Sequence, residues 1–466
     1  MEDTNTQSEK NFRDKISTVD IKGKRKWMYV FKPKGTLYNL RTYFSIVYLL
    51  LLFGLPFVKH NGNPIFLFNV TKSTFIFFGQ VFLPQDFILF GIGMLVFLLF
   101  VVVFTLIFGR VFCGWACPQT IFLEMVFRKI EYWIEGPANK QQTADSKTWT
   151  SELFLRKAIK HIIFFGLSFI IANTFLSYII GVDELFHYMK EPMSKHVLGI
   201  TMLMVFTVLF YAVYAFVREI SCIVICPYGR LQGVLLDRNS IVVIYDYLRG
   251  EPRTKKRKAP SEKHGDCIDC GMCVNVCPTG IDIRNGTQLE CVNCTSCIDA
   301  CNMMMKNVGL EPNLIKFGSE NDVATGVKPR LTYRIKMYSI VLIILLSVLI
   351  GLLATRDMFD ATVLRVAGQI LQENPDNSIS NLYKIKIVSK SGYTEPYHLE
   401  LDTKDAHIEY VGRKLDSLKS GIESEEIFFI KVAKEHITQR KENMHILVKS
   451  GNEIIQTKKI IFIGQY

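Results

Sequence analysis

Eight of the twelve cysteines in this 466-residue chain lie in two runs with the same spacing. Each run reads C-x2-C-x2-C-x3-C, with Cys267, Cys270, Cys273 and Cys277 in the first and Cys291, Cys294, Cys297 and Cys301 in the second. Cysteine thiolates at such spacing are typical ligands of iron–sulfur clusters. The two runs therefore predict two [4Fe-4S] clusters.

We expect the two clusters to exchange their fourth ligands, as the two-cluster arrangement does. One cluster would be bound by Cys267, Cys270, Cys273 and Cys301, and the other by Cys277, Cys291, Cys294 and Cys297. A pair of zinc knuckles is the alternative, but zinc usually takes its four ligands as two C-x2-C pairs. Two runs of four cysteines fit that pattern poorly.

The other four cysteines form two C-x3-C-P pairs, Cys113 with Cys117 and Cys222 with Cys226. On a helix the two members of each pair would share one face, and the following proline limits continuation of that helix. Four thiols brought together from two such pairs would make a soft site that favours Cu(I) and could also hold zinc or a cluster. Packing of four unligated cysteines is the alternative, since free cysteine is often buried.

The elements that position these cysteines include five apolar segments long enough to cross a bilayer. They are approximately Thr42–Val58, Phe87–Phe108, Ile162–Ile180, Val197–Val217 and Met337–Ala354. Buried core helices are the alternative, which five nearly uncharged runs make improbable. The sequence thus predicts a five-span α-helical membrane domain in contact with the lipid bilayer.

The distribution of lysine and arginine predicts the orientation of these segments. Basic residues are frequent before the first segment, between the second and third, and after the fourth, where Arg253 and Lys255–Lys258 form one run. Only Lys59, Lys72, Lys190 and Lys195 lie in the intervening loops. We therefore expect a cytoplasmic N-terminus, a periplasmic C-terminus and a bacterial inner-membrane location. All twelve cysteines then fall on the reducing side. The net charge of +12 is attributed to the membrane, with no nucleic acid as a partner.

The chain is expected to be a multi-domain protein. The predicted parts are a polar, mobile arm (1–41), a four-helix transmembrane region (42–217), a cytoplasmic linker (218–263), an α+β ferredoxin module (264–318), a fifth span (337–354) and a C-terminal domain (355–466). Short strands in the last part predict a β-sandwich of about seven strands. They are Ser380–Val388, Tyr397–Leu401, Glu426–Val432, His445–Val448, Glu453–Ile455 and Lys459–Ile463, with a turn at Ser450-Gly451-Asn452.

Two further groups of residues suggest weaker hypotheses. After Pro118, seven apolar residues could form one face of a membrane-surface helix, with Arg128, Lys129 and Glu131 on the headgroup side. The seven are Ile121, Phe122, Met125, Val126, Phe127, Ile130 and Trp133. In the loop before the fourth span, His187, Met189, Met193 and His196 could bind copper, but isolated residues of these types are more often plain surface residues.

Four segments resemble the CcoG/FixG/RdxA family. Residues 110–119 (RVFCGWACPQ) and 222–232 (CIVICPYGRLQ) resemble its two signatures, Asp246 and residues 249–253 (RGEPR) resemble the segment before its ferredoxin module, and residues 381–386 (NLYKIK) resemble the start of its immunoglobulin-like domain. The similarity covers essentially the whole chain after the N-terminal arm. It implies a bacterial-type two-cluster ferredoxin module and a C-terminal immunoglobulin-like β-sandwich.

The resemblance also implies a function. Members of the family are linked to assembly of the cbb(3)-type cytochrome c oxidase and are regarded as cupric reductases. Copper would be the substrate at Cys113, Cys117, Cys222 and Cys226, electrons would come from a cytoplasmic donor, and oxidase assembly factors or a copper chaperone would take the product. A homodimer is a further expectation. The alternatives are a quinol-oxidising polyferredoxin that serves a periplasmic reductase, and a copper-binding assembly scaffold without turnover.

Overall fold

The computed structural model describes most of the chain. The described residues are 18, 25–60, 63–70, 74–82, 86–147, 150–254, 264–326, 332–356, 359–366, 371–390, 395–403, 405–412, 414–418, 423–437, 439–451 and 453–464. Outside these ranges lie most of the predicted arm, the basic run Lys255–Lys258, Lys72 and Asn452 of the predicted turn. The side chain of Met193 is also outside the described part.

Five helices within the described residues are long and apolar enough to cross a membrane. They are Thr36–Phe57, Phe87–Phe108, Ser151–Ile180, Val197–Val217 and Tyr333–Ala354, here named spans 1 to 5. Span 2 contains 22 apolar or small residues, which at the helical rise extend over about 33 Å. That length matches the hydrocarbon core of a bilayer. The main difference from the sequence prediction is that span 3 begins at Ser151 rather than at Ile162.

The chain divides into two compact units. Unit 1 contains Met1–Phe53, Ile92–Thr174 and Pro192–Val348, and unit 2 contains Gly54–Gly91, Phe175–Glu191 and Leu349–Tyr466. All twelve cysteines lie in unit 1. The segments predicted for the two sides of the membrane fall in different units, apart from residues 192–196. The division therefore follows the alternation in the predicted topology.

Short helices in unit 1 begin where each C-x3-C-P pair ends. Pro118 and Pro227 each occupy the first position of a helix, where a missing N–H costs nothing. The described helical segments of unit 1 outside the spans are Val111–Trp115, Pro118–Thr120, Ile121–Phe127 (π-helical), Arg128–Ile134, Ala138–Ser146, Met193–Lys195 (3-10), Ser221–Ile225 (π-helical), Pro227–Leu235, Tyr247–Gly250, Met272–Asn275, Ile283–Asn285 (3-10), Ser296–Asn307 and Glu320–Thr325.

Two antiparallel strands hold the cysteine-rich segment together. Val242–Tyr245 pairs with Ile315–Gly318, and all four residues of the first strand are buried. Val243 and Tyr245 pack with Ile298 and Met305 in one apolar core. The first strand comes from the segment predicted as a linker, so that segment contributes a strand to the fold around the two cysteine runs.

The described part of the N-terminal arm belongs to unit 1 and packs against other segments of that unit, which differs from the predicted mobile arm. The Trp27 ring lies 4.6 Å from the Arg25 guanidinium and 5.0 Å from that of Arg218. The Phe31 amide donates to the carbonyl of Asn275 at 2.9 Å. At the start of span 1, the amides of Leu37 and Tyr38 donate to the Asp299 carboxylate at 3.2 and 2.7 Å. These partners are distant in sequence, so local composition gave no sign of them.

An ionic contact in unit 2 links the segment before span 2 to the C-terminal domain. Asp86 accepts hydrogen bonds from Arg356 at 2.6 Å and from Lys390 at 2.8 Å. Asp86 precedes span 2 and Arg356 follows span 5. The other elements of this part of unit 2 are strands Lys59–His60, Asn63–Pro64, Phe66–Asn69, Thr74–Phe77 and Gln80–Phe82 and helix Val182–Lys190.

The C-terminal domain is a β-sandwich. The larger sheet contains Phe359–Arg365, Gln372–Glu373, Ser378–Ser389, Ala406–Tyr410 and Glu423–Ala433; the second contains His398–Leu401, Lys441–Ser450 and Glu453–Ile463; Glu395–Pro396 pairs with Ser417–Leu418. Ile385 and Phe428 from the first sheet and Ile446 and Phe462 from the second are fully buried in one core. Alternating inward apolar residues of both sheets thus form the core.

The strand predictions for this domain were right in location and partly wrong in number. Glu453–Ile455 and Lys459–Ile463 were predicted as separate strands but form one, because Gln456–Lys458 continue the pairing with the preceding strand. Phe359–Arg365 and Ala406–Tyr410 were not predicted. Ala406–Tyr410 nevertheless alternates between less and more exposed positions along its whole length.

Candidate metal centres

Four cysteines line a first cavity in unit 1. They are Cys267, Cys270, Cys273 and Cys301, and the cavity between them is partly open to solvent. Its other walls include Tyr245, Arg284 and Met305. Cys270 is the exposed member of this set, whereas Cys267 and Cys273 are buried.

Four other cysteines line a second, partly open cavity. They are Cys277, Cys291, Cys294 and Cys297, and Cys273 also borders this cavity. The remaining lining is mainly apolar and includes Val243, Ile281 and Val292. The structure thus brings together the two sets of four that the spacing predicts, with the fourth cysteine of each run beside the other run. Their role as cluster ligands stays a prediction for the individual residues.

Among the described residues, which include the eight cysteines of the two runs and the four of the C-x3-C-P pairs, no group of three or more His, Cys, Asp or Glu side chains is placed to hold a single metal ion. Around each cavity four thiols surround a shared volume, an arrangement that is compatible with the predicted [4Fe-4S] clusters.

The two cysteine runs also share their backbone conformation. Left-handed residues flank the second cysteine of each run: Asp269 (φ 48°) and Gly271 (φ 68°) in the first, Asn293 (φ 53°) and Thr295 (φ 66°) in the second. Asparagine and aspartate adopt this conformation more readily than most residues, and glycine adopts it freely. The repeated turns wrap each run around its cavity.

Burial makes free thiolates unfavourable around the second cavity. It raises the pKa of Cys291 to about 12, and the charges of Cys277 and Cys294 raise this pKa further. The pKa of Cys277 is raised to about 11, first by burial and then by Cys294. Thiolates crowded in this way require cations among them, and iron bound in the cavity would supply those cations.

The C-x3-C-P pairs do not lie on continuous helices, contrary to the prediction. Cys113 is in the one-turn helix Val111–Trp115, whereas Cys117 is extended (ψ 126°) just before Pro118. Cys226 is likewise extended (ψ 112°) before Pro227. The residue before a proline is disfavoured in the helical region, so each helix breaks within the pair. The break allows the chain to turn the second thiol independently of the first.

The four thiols of the two pairs are nevertheless neighbours in unit 1. Burial raises the pKa of Cys222 to about 12, and thiolate charges at Cys117, Cys113 and Cys226 raise it further. Burial also raises the pKa of Cys113 to about 11, with smaller effects from Cys117 and Cys226. Cys117 and Cys226 interact in the same way. All six pairs are therefore within electrostatic range. We call these four residues the membrane-edge site.

Cys113 is held by a hydrogen-bond network that joins the segments of the two C-x3-C-P pairs. Its Sγ donates to Gln232 Oε1 at 2.8 Å. Gln232 is fully buried, and its Nε2 donates to Tyr228 Oη at 2.7 Å and to Thr105 Oγ1 at 3.1 Å. Gln232 thus links span 2, the first cysteine pair and the helix after the second pair.

The membrane-edge site is in direct contact with the second cysteine run. Cys113 packs with Val292 and Cys294, and Tyr228 covers this contact. A Cβ added to Gly114 would lie 2.4 Å from the carbonyl oxygen of Val292, closer than real Cβ atoms approach. Glycine at position 114 therefore allows the first C-x3-C-P loop to approach the loop between Cys291 and Cys294.

The prediction of an amphipathic helix after Pro118 is wrong about which residues form its exposed polar face. Arg128 and Glu131 are buried, whereas Trp133 is 81% exposed. The π-helical segment Ile121–Phe127 precedes them, and its wider turns change the phase of every later residue relative to an α-helix. Glu131 accepts two hydrogen bonds from Arg218, at 2.7 and 2.8 Å. This end of the segment is thus held by a buried ion pair instead of facing lipid headgroups.

The loop before span 4 gives no support for a copper site. His187 and Met189 lie on helix Val182–Lys190, and His187 Nδ1 is 3.8 Å from Glu191 Oε1. His196 immediately precedes span 4. In the described part of this loop, no group of three or more His, Cys, Asp or Glu side chains could hold a metal ion.

Sequence reasoning assigned no role to several residues of the membrane-edge site. Gln232, Gly114 and Asn293 contact its cysteines or the second run, and Arg110 lies between the two. Each of these residues lies within or next to a cysteine motif, and this position was the sequence signal that could have identified it. Their roles depend on contacts between segments more than 100 residues apart, which spacing does not reveal.

Three models of domain families match the chain. A 4Fe-4S dicluster domain matches residues 217–320, a 4Fe-4S binding domain matches residues 90–137, and the IG-like fold at the C-terminal of FixG matches residues 349–465. The matched ranges contain all twelve cysteines and the β-sandwich. These matches support iron–sulfur clusters and an immunoglobulin-like C-terminal domain.

Curated relatives resemble the chain over most of its length. Nitrogen fixation protein FixG of Rhizobium meliloti is 33% identical over 319 residues, covering 65% of this chain and 59% of FixG. Protein RdxA of Cereibacter sphaeroides is 32% identical over 346 residues, covering 72% of each chain. Protein RdxB of the same organism is 30% identical over 404 residues, covering 83% of this chain and 84% of RdxB.

A solved structure, that of a FixG-related protein from Vibrio parahaemolyticus, is 14% identical and covers 24% of this chain and all of its own, with a TM-score of 0.22. That likeness is too weak to carry an argument. The curated relatives and the domain matches instead show that this chain is an iron–sulfur electron-transfer protein of the membrane. With 30% identity over 84% of RdxB and a matched FixG C-terminal domain, the chain belongs to the FixG/RdxA family of membrane polyferredoxins.

Proposed function

We propose that this chain is a membrane-bound reductase that converts Cu(II) to Cu(I) for assembly of a cbb(3)-type cytochrome c oxidase. The substrate copper would bind at Cys113, Cys117, Cys222 and Cys226. One observation carries the proposal: Cys113 packs directly with Val292 and Cys294 of the second cysteine run. A site for a substrate that accepts electrons is thereby adjacent to residues that line the second cavity.

The residues around the two cavities and the membrane-edge site have different tasks. When bound, the two [4Fe-4S] clusters supply electrons one at a time at low potential. The four membrane-edge thiols bind copper, and as soft ligands they favour Cu(I), the product, over Cu(II). Gln232 holds Cys113 in place, and Thr120 hydrogen-bonds to both Cys117 and Cys222. Each Cu(II) takes up one electron, and Cu(I) then passes to a partner.

The proposal includes an orientation. The alternation of basic residues favours a cytoplasmic N-terminus and cytoplasmic cysteines, in the inner membrane of a bacterium. A cytoplasmic donor would then reduce the chain, and the periplasmic C-terminal domain would dock oxidase assembly factors or a copper chaperone. A homodimer is compatible with this arrangement.

A second candidate concerns the membrane-edge site alone. The domain matched over residues 90–137, which include Cys113 and Cys117, is described as a 4Fe-4S binding domain. This description favours a third cluster in place of copper. Iron analysis separates the two readings, because two cubanes contain about eight iron atoms per chain and three contain about twelve.

Single-turnover reduction of Cu(II) tests the proposal. The full-length chain is reduced with dithionite, freed of excess reductant and mixed with Cu(II) under argon. We expect about two Cu(I) per chain, one for each one-electron cluster, trapped by a Cu(I)-specific chelator as the clusters reoxidise. Replacing Cys113, Cys117, Cys222 and Cys226 together by Ala should leave about eight iron atoms in place and abolish this burst.

The outcomes discriminate among the alternatives. Clusters that stay reduced when Cu(II) is added would leave only a copper-binding scaffold. Unchanged copper reduction in the fourfold variant would remove the membrane-edge site from the reaction. Loss of about four iron atoms in that variant would indicate a third cluster. Rapid reduction of the clusters by a quinol, independent of copper, would favour the quinol-oxidising polyferredoxin.

The exchange of fourth ligands between clusters gives a separate prediction. Cys301→Ser and Cys267→Ser should alter the same EPR signal of the reduced protein, whereas Cys277→Ser should alter the other. The reason is that Cys301 lines the first cavity together with Cys267, whereas the other three cysteines of its run line the second cavity together with Cys277. If Cys301→Ser instead alters the signal that Cys291→Ser alters, each run binds its own cluster.

A further inference from the structure

Arg110 is a buried cation between two groups of thiols. It follows span 2 directly and is 3% exposed. Its Nη1 donates to the carbonyl oxygen of Leu289, two residues before the second cysteine run. Its Nε is buried without a hydrogen-bond partner, and no carboxylate among the described residues forms an ion pair with it. The chain itself therefore does not neutralise this guanidinium.

Contacts of Arg110 reach segments of both groups. Its side chain hydrogen-bonds to Cys113, and its carbonyl oxygen accepts from the amide of Gly114 at 3.4 Å. Its Nη1 donates to Leu289, two residues before Cys291, which lines the second cavity. Cys113 belongs to the membrane-edge site, so Arg110 connects the two groups.

A glycine makes room for the guanidinium at this position. A Cβ on Gly229 would lie 2.9 Å from Arg110 Nη2 and 2.9 Å from the carbonyl oxygen of Cys222. Any larger residue at 229 would displace either the cation or the second C-x3-C-P pair. Arg110 is therefore enclosed between the helix that follows Cys226 and the loop that precedes Cys291.

The physical chemistry of an unpaired buried charge indicates what Arg110 is for. Burial of a guanidinium without a counter-ion is costly, and arginine does not lose its proton to avoid that cost. A cluster or a Cu(I) ion bound by several thiolates carries net negative charge. Such anionic centres on either side would supply the missing counter-charge.

We propose that Arg110 is the shared counter-charge of the second cavity and the membrane-edge site. It stabilises the reduced, more negative state of the cluster bound by Cys277, Cys291, Cys294 and Cys297, and it stabilises Cu(I) bound next to Cys113. Arg110 acts through these thiolates, and its role is to hold a positive charge beside them. The copper part rests on the proposed function, whereas the cluster part does not.

Redox titration in the absence of copper tests the cluster part. Arg110→Gln should lower the midpoint potential of one of the two clusters, because a cation that favours the reduced state is lost. Arg110→Lys keeps the charge and should restore most of the potential. Arg230→Gln is the matched control, since Arg230 follows Gly229 but is exposed. Equal potentials in wild type and Arg110→Gln, or an equal shift in Arg230→Gln, would overturn the assignment.

Copper binding tests the other part. Loss of a hydrogen bond from a charged donor should weaken Cu(I) binding in Arg110→Gln about tenfold to a hundredfold. Cu(I) affinity equal to that of wild type would contradict a role at the membrane-edge site. A wild-type chain that fails to reduce Cu(II) would overturn the proposed function, while a potential shift in Arg110→Gln would still support the cluster part. Should Arg110→Gln lose iron while Arg110→Lys retains it, the loss of charge alone accounts for the loss of the cluster, which supports the assignment. Equal loss of iron in both variants would contradict a role for the charge.

Discussion

Gly114→Ala is expected to slow copper reduction about 100-fold while both clusters remain bound, a loss typical of misplacing a reacting group by about 1 Å. The added Cβ would meet the carbonyl oxygen of Val292 at 2.4 Å, so one of the two loops has to move. That movement separates Cys113 from Cys294. The measurement is stopped-flow reoxidation of the reduced protein by Cu(II), with iron content measured in parallel.

Gly93→Ala is the control for this prediction. It makes the same substitution in span 2, where a Cβ would meet nothing within 4 Å. A second readout does not depend on copper: Cys113 is only 8% exposed, and its alkylation by a maleimide should become faster in Gly114→Ala. If Gly114→Ala matches Gly93→Ala in both measurements, the contact between the two loops does not govern electron delivery.

Glu131→Gln is expected to destabilise the protein by about 3–5 kcal/mol, the usual effect of removing one partner from a buried ion pair. Glu131 is 4% exposed and binds both Nη atoms of Arg218, at 2.7 and 2.8 Å. The neutral amide leaves the Arg218 charge without its main partner. Glu152→Gln is the control, because Glu152 is 74% exposed and its ion-pair partner among the described residues is Arg156 on the same helix. The measurement is thermal unfolding in detergent.

The same carboxylate gives a prediction for pH. Burial alone would raise the pKa of Glu131, but the Arg218 guanidinium outweighs it and holds the pKa below its ordinary value. A depressed pKa stabilises the folded state above the unfolded pKa of about 4.3, and that stabilisation is lost as pH falls through the folded pKa. The melting temperature of the wild type should therefore fall more steeply below about pH 4 than that of Glu131→Gln. Parallel curves would contradict the role of this pair.

Local patterns in the sequence predicted the elements of this protein well. The spans follow from runs of apolar residues, since a bilayer requires such runs regardless of tertiary contacts. The central strands of the sandwich follow from alternation, as in Ser378–Ser389, where Tyr383, Ile385 and Ile387 face the core. The grouping of cysteines around the two cavities follows from the known geometry of iron–sulfur ligation.

Contacts between distant segments account for what the sequence did not predict. The buried position of Glu131 depends on a π-helical segment that interrupts the helical period. The role of Gly114 depends on Val292, and that of Gln232 on Thr105. A single sequence gives no sign of such pairs, because each residue alone is compatible with a surface position. The membrane-edge thiols likewise come together because of two helix breaks. The spacing of the cysteines does not determine where these breaks lie relative to each other.

The cap on span 1 has a consequence for how the chain is made. Asp299 accepts the hydrogen bonds of the Leu37 and Tyr38 amides, although it lies 262 and 261 positions later in the sequence. At ordinary rates of translation this carboxylate is synthesised roughly 10 to 50 seconds after the helix it caps. Asp299 lies between Cys297 and Cys301, so the helix that brings it also carries two cysteines of the second run. The hydrogen bonds at the start of span 1 are thus completed only after the second cysteine run has been synthesised, which couples the packing of this early helix to the folding of that later segment.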